Sequence, residues 1–383
     1  MARCSVLLFG LWWSVAALCL CLCPAQKTYF PPTLNISLDE DPELRWNPLL
    51  TVFDTDFLKK AAAEIIDSTV PKWVHHAVAP VVKVLDLFIP QPYAGEIRGL
   101  ASHFGGSLSD IIILNFAYEM TAFCTSIVAQ DTKGNIYHGR NLDYPHNILR
   151  NLTINVIFQK NGVVLYQGTT FAGYIGLWTA QSPNKFTVSG DQRGSEHWRN
   201  WWKNAVSALL LRRSPVSWLV RETMEVAEDF KDAVMRLSKI PIITGVYYIV
   251  GGVRAGEGVV ITRDRKGPAD IWPLEPVNGE WFRVETNYDH WRPPPEMDHR
   301  REMANKALNA TGQVNINMDT LYQAGLDQSP GDNQSKTLLN ICLSQTYTYG
   351  LVFFFLFFTS RFCRCFQCVT GEFSLSRQKS GNV

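Results

Sequence analysis

The spacing of apolar positions changes several times along the chain, and each change marks a change of element. Across 53–70 they recur at helical intervals, with Phe57, Leu58, Ala61, Ile65 and Ile66 on one face, and Pro71 ends the run. Residues 74–89, opening on Val74 and closing on Ile89, form a second helical stretch interrupted by Pro80; its valines suit a core or a surface that touches lipid. Ser107 and Asp110 open a third helix through Ile111, Ile113, Leu114 and Phe116 to Tyr118. Ahead of these, 31–48 reads as an extended arm. From Cys124 the pattern is that of strands. Segments 124–130 and 136–143 flank a turn at 131–135, segments 154–159 and 163–169 flank the hairpin signal Asn161-Gly162, and 187–190 is a short further strand. Helices return at 196–213 and, behind Ser214-Pro215, at 216–237. Strands follow at 247–251 and 258–263, then a helix at 297–308. This succession predicts an α+β fold with sheets held between helical layers.

Composition narrows the function. Charge is balanced, 36 basic against 35 acidic side chains, which disfavours a nucleic-acid or polybasic-membrane role. Residues 1–25 read as a signal peptide: Arg3 gives the positive charge, Val6 to Leu22 the apolar stretch, and the small residues near Ala25 a cleavage point. Glycosylation sequons at Asn35, Asn151, Asn309 and Asn333 agree with passage through the lumen. Of nine cysteines, all but Cys124 lie in the first 23 residues or from Cys342 onward. A lone cysteine in the body of a secreted protein fits a reactive thiol and also fits a small buried hydrophobe.

Several strings carry little. Gly251-Gly252-Val253-Arg254-Ala255-Gly256 precedes a strand, so it reads as a hairpin turn and not a dinucleotide loop. The histidines, among them His75, His76 and His197, lack zinc-ligand spacing, and Cys363, Cys365 and Cys368 lack a second ligand pair. Trp198, Trp201 and Trp202 suit a core or a pocket wall.

The informative constellation surrounds Cys124. Arg140 and Asp143 lie on the strand predicted to pair with it, and a nearby cation favours thiolate. Were Cys124 a chain terminus, its own α-amine would serve as base. The run Glu119 to Asp131, the following His138-Gly-Arg-Asn-Leu-Asp-Tyr144, and the strings 72–74, 95–99, 185–191, 267–273 and 284–291 together resemble the acid ceramidase family of N-terminal-nucleophile hydrolases, over 44–323.

The resemblance implies an αββα four-layer sandwich, made as a precursor that cuts itself between Phe123 and Cys124 at acidic pH. It implies a helical α-subunit at 26–123 and a catalytic β-subunit at 124–325, associated as a heterodimer in the lysosome, with no metal or organic cofactor. It implies hydrolysis of fatty acyl ethanolamides such as palmitoylethanolamide, with ceramide as the alternative substrate and a non-catalytic lipid-binding relative as a third reading. By position in the motifs, Cys124 is the nucleophile, Asp143 holds its α-amine, Arg140 supports that carboxylate, and Asn287 donates to the oxyanion. Tyr144 and Trp178 line the acyl channel or belong to the core. Gln192 stands where the family carries a glutamate associated with self-cleavage; it keeps the hydrogen bonds and loses the charge. Residues 326–383 depart from the family and include the apolar run Leu351 to Phe358, too short to span a bilayer as a helix. This segment reads as an alternative C-terminus. If relatives place a central strand there, folding or maturation would suffer.

Overall fold

The fold is that of a computed structural model, which describes residues 31–69, 89–118, 123–144, 148–194, 213–296, 298–326, 336–344 and 354–355. The predicted signal peptide, all of 74–89 except Ile89, all of the predicted helix 196–213 except Arg213, with its tryptophans, and Asn333 lie outside these residues.

Two sheets form the centre. The larger has eight strands in the order β1-β4-β5-β6-β7-β8-β9-β10: β1 (Thr33–Ser37), β4 (Thr153–Lys160), β5 (Val163–Phe171), β6 (Thr179–Ser182), β7 (Phe186–Gln192), β8 (Val246–Gly251), β9 (Gly258–Arg263) and β10 (Pro268–Pro273). The smaller has the order β11-β2-β3-β12-β13: β11 (Phe282–Glu285), β2 (Phe123–Gln130), β3 (Ile136–Tyr144), β12 (Lys336–Ser344) and β13 (Phe354–Phe355). Helices cover the outer faces. On the large sheet lie α1 (Thr55–Thr69), α2 (Tyr93–Phe104), α3 (Leu108–Tyr118), α5 (Val216–Val226) and α6 (Phe230–Lys239), beside the one-turn α4 (Ile148–Leu152). On the small sheet lie α7 (Arg300–Thr311) and α8 (Met318–Leu326). The layers run helix, sheet, sheet, helix.

Local chemistry accounts for the boundaries. Ser107 and Asp110 bond reciprocally, the Asp110 N–H donating to Ser107 Oγ at 3.2 Å and the Ser107 N–H to Asp110 Oδ2 at 3.3 Å, which starts α3 as expected. Asn161 and Gly162 take φ values of 51° and 74°, the left-handed pair that a two-residue hairpin needs. The helix expected across 216–237 is two helices. Asp229 caps α6 by accepting the Asp232 N–H at 2.9 Å, and extended backbone at Ala227 separates the two. The arm at 31–48 is not free: β1 pairs in parallel with β4, directing Leu34 and Ile36 inward and leaving Asn35 exposed. Past 326, β12 pairs antiparallel with β3 along its length, so this unfamiliar segment supplies the central neighbour that β3 needs.

Between α2 and α5 sits a fully buried ion pair. Glu96 accepts from Arg221 at 2.5 and 2.7 Å, from Trp46 Nε1 at 2.9 Å and from Arg45 at 3.1 Å. Burial pushes the carboxyl up, but the Arg221 charge and these hydrogen bonds outweigh it and hold it below its ordinary value. Arg221 lies over the rings of Phe158 and Tyr93, at 4.6 and 5.4 Å, and Tyr93 stacks on Trp218 at 4.5 Å. Removing one member strands the other charge without water. Glu96→Ala is expected to lower the unfolding free energy by about 3–5 kcal/mol, whereas Glu96→Gln with Arg221→Met recovers much of that loss. Urea unfolding checks this; a Glu96→Ala loss under about 1 kcal/mol would contradict it.

Candidate active site

Alternation along β2 and β3 sets which side chains meet the other sheet. The turn between them is fixed by Asp131, whose carboxylate accepts the N–H groups of Lys133 and Asn135, both at 2.8 Å, and Asn135 Nδ2 at 2.7 Å. The resulting register pairs Cys124 with Leu142 and Ser126 with Arg140. Ile127, Ala129 and Tyr137 turn outward, onto α7 and α8. Cys124, Ser126, His138 and Arg140 turn inward, where polar groups of β6 and β7 meet them.

Arg140 is the hub. Its Nη1 donates to Thr179 Oγ1 at 2.6 Å, and its Nη2 to Gly190 O at 2.6 Å and to Cys124 Sγ at 3.1 Å. Its Nε stands 3.5 Å from Asp191 Oδ1. A buried cation in contact with sulfur favours thiolate. Gly190 makes this approach possible: a Cβ there would stand 2.7 Å from the Trp178 ring, and its N–H donates to Trp178 O at 2.9 Å.

The Cys124 backbone is gripped from the other side. Its N–H donates to Asn287 Oδ1 at 3.0 Å, and its carbonyl accepts from Arg300 Nη1 at 2.6 Å. Arg300 Nη2 also donates to Asn287 Oδ1 at 2.9 Å, and Asp298 anchors Arg300 at 2.7 Å. Asn287 Nδ2 donates to Gln192 O at 2.8 Å. The Cys124 nitrogen, carbonyl and thiol are each met by a polar side chain, while Cys124 itself is wholly buried at the second position of a strand that begins with Phe123. The arrangement holds a thiol beside a cation with its own backbone fixed on both sides.

Cys124, Arg140 and Asn287 therefore come together, with Gln192 contributing its carbonyl and Trp178 buried behind Gly190. Asn287 Oδ1 accepts the Cys124 N–H, and the amide of Asn287 also reaches Gln192. The backbone of Asp143 pairs with Phe123, and that of Tyr144 with Lys336; the side chains of Phe123, Asp143 and Tyr144 lie outside the described residues. Asn35, Asn151 and Asn309 are exposed, as carbohydrate acceptors must be. Sequence reasoning missed Asp191, Arg300, Ser126 and Glu285. Asp191 had a signal: Thr187, Ser189 and Asp191 put polar groups at alternate positions of a strand whose every residue through Asp191 is buried.

Two buried carboxyls are pushed up. Burial raises Asp191 to about 6 against the pull of Arg140, a Ser126 hydrogen bond and Arg300. Burial raises Glu285 to about 8, helped by the Asp191 and Asp289 charges and opposed by Arg301, whose Nη2 donates to Glu285 Oε1. Among the described residues no group of three or more His, Cys, Asp and Glu side chains could hold a metal ion, and no helix is long and apolar enough to cross a membrane.

Comparison with known proteins places the chain. Residues 124–321 match the family model described as linear amide C–N hydrolases, choloylglycine hydrolase family. Residues 30–89 match the model of the beta subunit of N-acylethanolamine-hydrolyzing acid amidase, a label opposite to the α used above for the N-terminal segment. The N-acylethanolamine-hydrolyzing acid amidase of Mus musculus is 58% identical over 294 residues, covering 76% of this chain and 80% of the mouse protein. Acid ceramidase of Bos taurus is 34% identical over 328 residues, covering 78% of this chain and 80% of the bovine protein. The solved Caenorhabditis elegans N-acylethanolamine-hydrolyzing acid amidase ortholog superposes with a TM-score of 0.52 at 35% identity, covering 58% of this chain and 93% of that one.

The raised Glu285 gives stability a pH dependence of defined sign. Folded, it keeps its proton up to about pH 8; unfolded, it ionises near its ordinary value of 4.5. The folded state therefore binds more protons across that span, and stability falls as pH rises through it. His103, His138 and His290 are each held below the ordinary histidine value of 6.5, chiefly by burial, so above that pH they are mostly neutral in both states and oppose little. Unfolding free energy measured from about pH 6.5 to about pH 8 is expected to decline, and Glu285→Gln to flatten the decline. An equal decline in both proteins would contradict the assignment.

Proposed function

We propose that this chain, which belongs to the choloylglycine hydrolase family of linear amide C–N hydrolases, hydrolyses N-acylethanolamines such as palmitoylethanolamide to fatty acid and ethanolamine, with Cys124 as nucleophile. The observation that carries the reading is the grip on Cys124: Arg140 on its thiol, Asn287 on its nitrogen and Arg300 on its carbonyl. The chain is made as a precursor and cuts itself between Phe123 and Cys124 at acidic pH, giving an N-terminal subunit 26–123 and a C-terminal subunit that begins at Cys124, which stay together. The buried pairing of Glu96 with Arg221 supports their association, since it joins one subunit to the other.

In the mature enzyme the new α-amine takes the thiol proton, and Sγ attacks the amide carbon. The oxyanion then expels ethanolamine, which receives the proton from the α-amine, and a thioester remains. Water attacks the thioester; the fatty acid leaves and the thiol is restored. Turning Asn287 toward the substrate oxygen would supply an oxyanion donor, while Asp143 takes over the α-amine. Trp178, packed in the core against Gly190, and Tyr144, by its place in the motif, are the candidates for an acyl-channel wall. Gln192, uncharged, makes maturation less dependent on a titrating group at its own position. The sequons at Asn35, Asn151, Asn309 and Asn333 and the leader at 1–25 support entry into the secretory pathway and a lysosomal destination. Residues 74–89 provide membrane-surface contact, a suitable device for an enzyme whose substrates partition into lipid.

N-terminal sequencing after acid incubation is expected to find a new fragment that starts at Cys124, absent in Cys124→Ala. A folded chain that stays uncut would contradict self-cleavage. Side-by-side turnover of palmitoylethanolamide and ceramide decides the substrate, with the ethanolamide expected to be cleaved faster. In cleaved protein, Asn287→Ala is expected to lower kcat by roughly 100- to 1,000-fold.

A further inference from the structure

Where two sheets pack face to face the interior is ordinarily apolar; here one file through it is polar. Asp191 Oδ1 accepts Ser126 Oγ–H at 2.9 Å, and Ser189 Oγ lies 2.9 Å from Ser126 Oγ. His138 meets Ser189 Oγ through Nε2 and Thr187 Oγ1 through Nδ1, both at 2.8 Å. Thr187 Oγ1 in turn lies 3.2 Å from Gly251 O. Ser126 and His138 belong to the small sheet, Thr187, Ser189 and Asp191 to the large one, and all five are buried.

The hydrogens along this file can be counted. Each hydroxyl has one, and a neutral imidazole has one N–H. With Asp191 ionised, Ser126 donates to Asp191, Ser189 to Ser126, His138 Nε2 to Ser189, and Thr187 to His138 Nδ1. With Asp191 protonated, the new hydrogen needs an acceptor. Asp191 Oδ2 accepts no hydrogen bond among the described residues, whereas Oδ1 has the Ser126 hydroxyl at 2.9 Å, already placed to take a proton's hydrogen bond. On Oδ1 it donates to Ser126 Oγ, and every later donor reverses: Ser126 to Ser189, Ser189 to His138 Nε2, His138 Nδ1 to Thr187, Thr187 to Gly251 O. The two arrangements differ by the tautomer of His138.

We propose that Asp191 is a positioning residue for the nucleophile: its carboxylate holds Arg140 against Cys124 from the facing sheet, and its gain of a proton is relayed through Ser126 and Ser189 to the tautomer of His138. The charged and titratable groups around Asp191 are Arg140 on β3, Arg300 on α7, Glu285 on β11 and Tyr247, its partner on β8. The two arginines keep the carboxyl from rising beyond about 6 despite its burial. Burial and the Arg140 charge push His138 down to about 3, so between neutral and mildly acidic pH its tautomer changes and its charge does not. Once Asp191 is protonated, the Arg140 guanidinium faces Cys124 without that counter-charge. The role toward Cys124 rests on the amidase reading; the file itself does not.

The test uses the full chain carrying Cys124→Ala, which cannot cut itself, with 15N-labelled histidine and the His138 signals identified by their loss in His138→Asn. Between about pH 7.5 and about pH 4.5 the protonated nitrogen is expected to move from Nε2 to Nδ1, with a midpoint near the Asp191 value of about 6. With Asp191→Asn or Ser126→Ala added, the tautomer is expected to stay the same at both pH values; if the first does not fold, the second decides. In cleaved protein of otherwise natural sequence, Asp191→Asn is expected to remove an inflection near pH 6 from the turnover profile, and Asp191→Glu to keep one. A tautomer that does not change, or a change that survives loss of Asp191 or Ser126, overturns the proposal. Neither result bears on self-cleavage, which is read separately as the fragment beginning at Cys124.

Discussion

The guanidinium of Arg140 bridges the gap between the two sheets, and the site is arranged around that bridge. A strand of the small sheet sends it across to Thr179 and Gly190 of the large one while it also touches the Cys124 thiol. A charge so deeply buried persists only if its donors are satisfied and a counter-charge is near. Asp191 supplies that charge, and the carbonyl of Gly190 is reachable because nothing larger than glycine fits against Trp178. The apolar packing of Val128, Ile136, Ile249 and Val260 farther along the sandwich fixes the spacing of the sheets, and Arg140 and its partners set the geometry at Cys124.

A second buried charge organises the fold on a larger scale. Glu96 and Arg221 tie α2, which precedes Cys124 in sequence, to α5, which follows it. Two kinds of order thus coexist. The large apolar core and this ion pair hold the helical N-terminal part onto the large sheet, and β1 extends the sheet itself. A break in the chain before Cys124 would cut none of these contacts, because they join segments far apart in sequence. Were the chain to cut itself there, the two fragments would remain joined.

Long periodic elements were legible in the sequence, as were turns with specific chemistry. The helix ending at Tyr118, the β2–β3 and β4–β5 hairpins and the β8–β9 pair follow from spacing, capping and left-handed turn residues. Short elements were not. The strands β6 and β11 have four residues each, too few for alternation to show, and β10 carries prolines at both ends and lies exposed at a sheet edge. The break between α5 and α6 was hidden because apolar periodicity runs on through it, while the cap at Asp229 is local. At the site, Cys124 stood out by the distribution of cysteines, and Arg140 and Asn287 by motif. Asp191 and Arg300 act through partners 65 and 176 positions away, Ser126 and Cys124, and no local pattern carries such a pairing.

Detecting the acyl group on the nucleophile tests the central claim most directly. Acid-treated protein mixed briefly with palmitoylethanolamide, quenched in strong acid and digested, should yield the peptide that begins at Cys124 with one palmitoyl mass added, in amounts that fall as substrate is exhausted. Hydrolysis without that adduct on any time scale, or hydrolysis that persists in Cys124→Ala, would contradict the account.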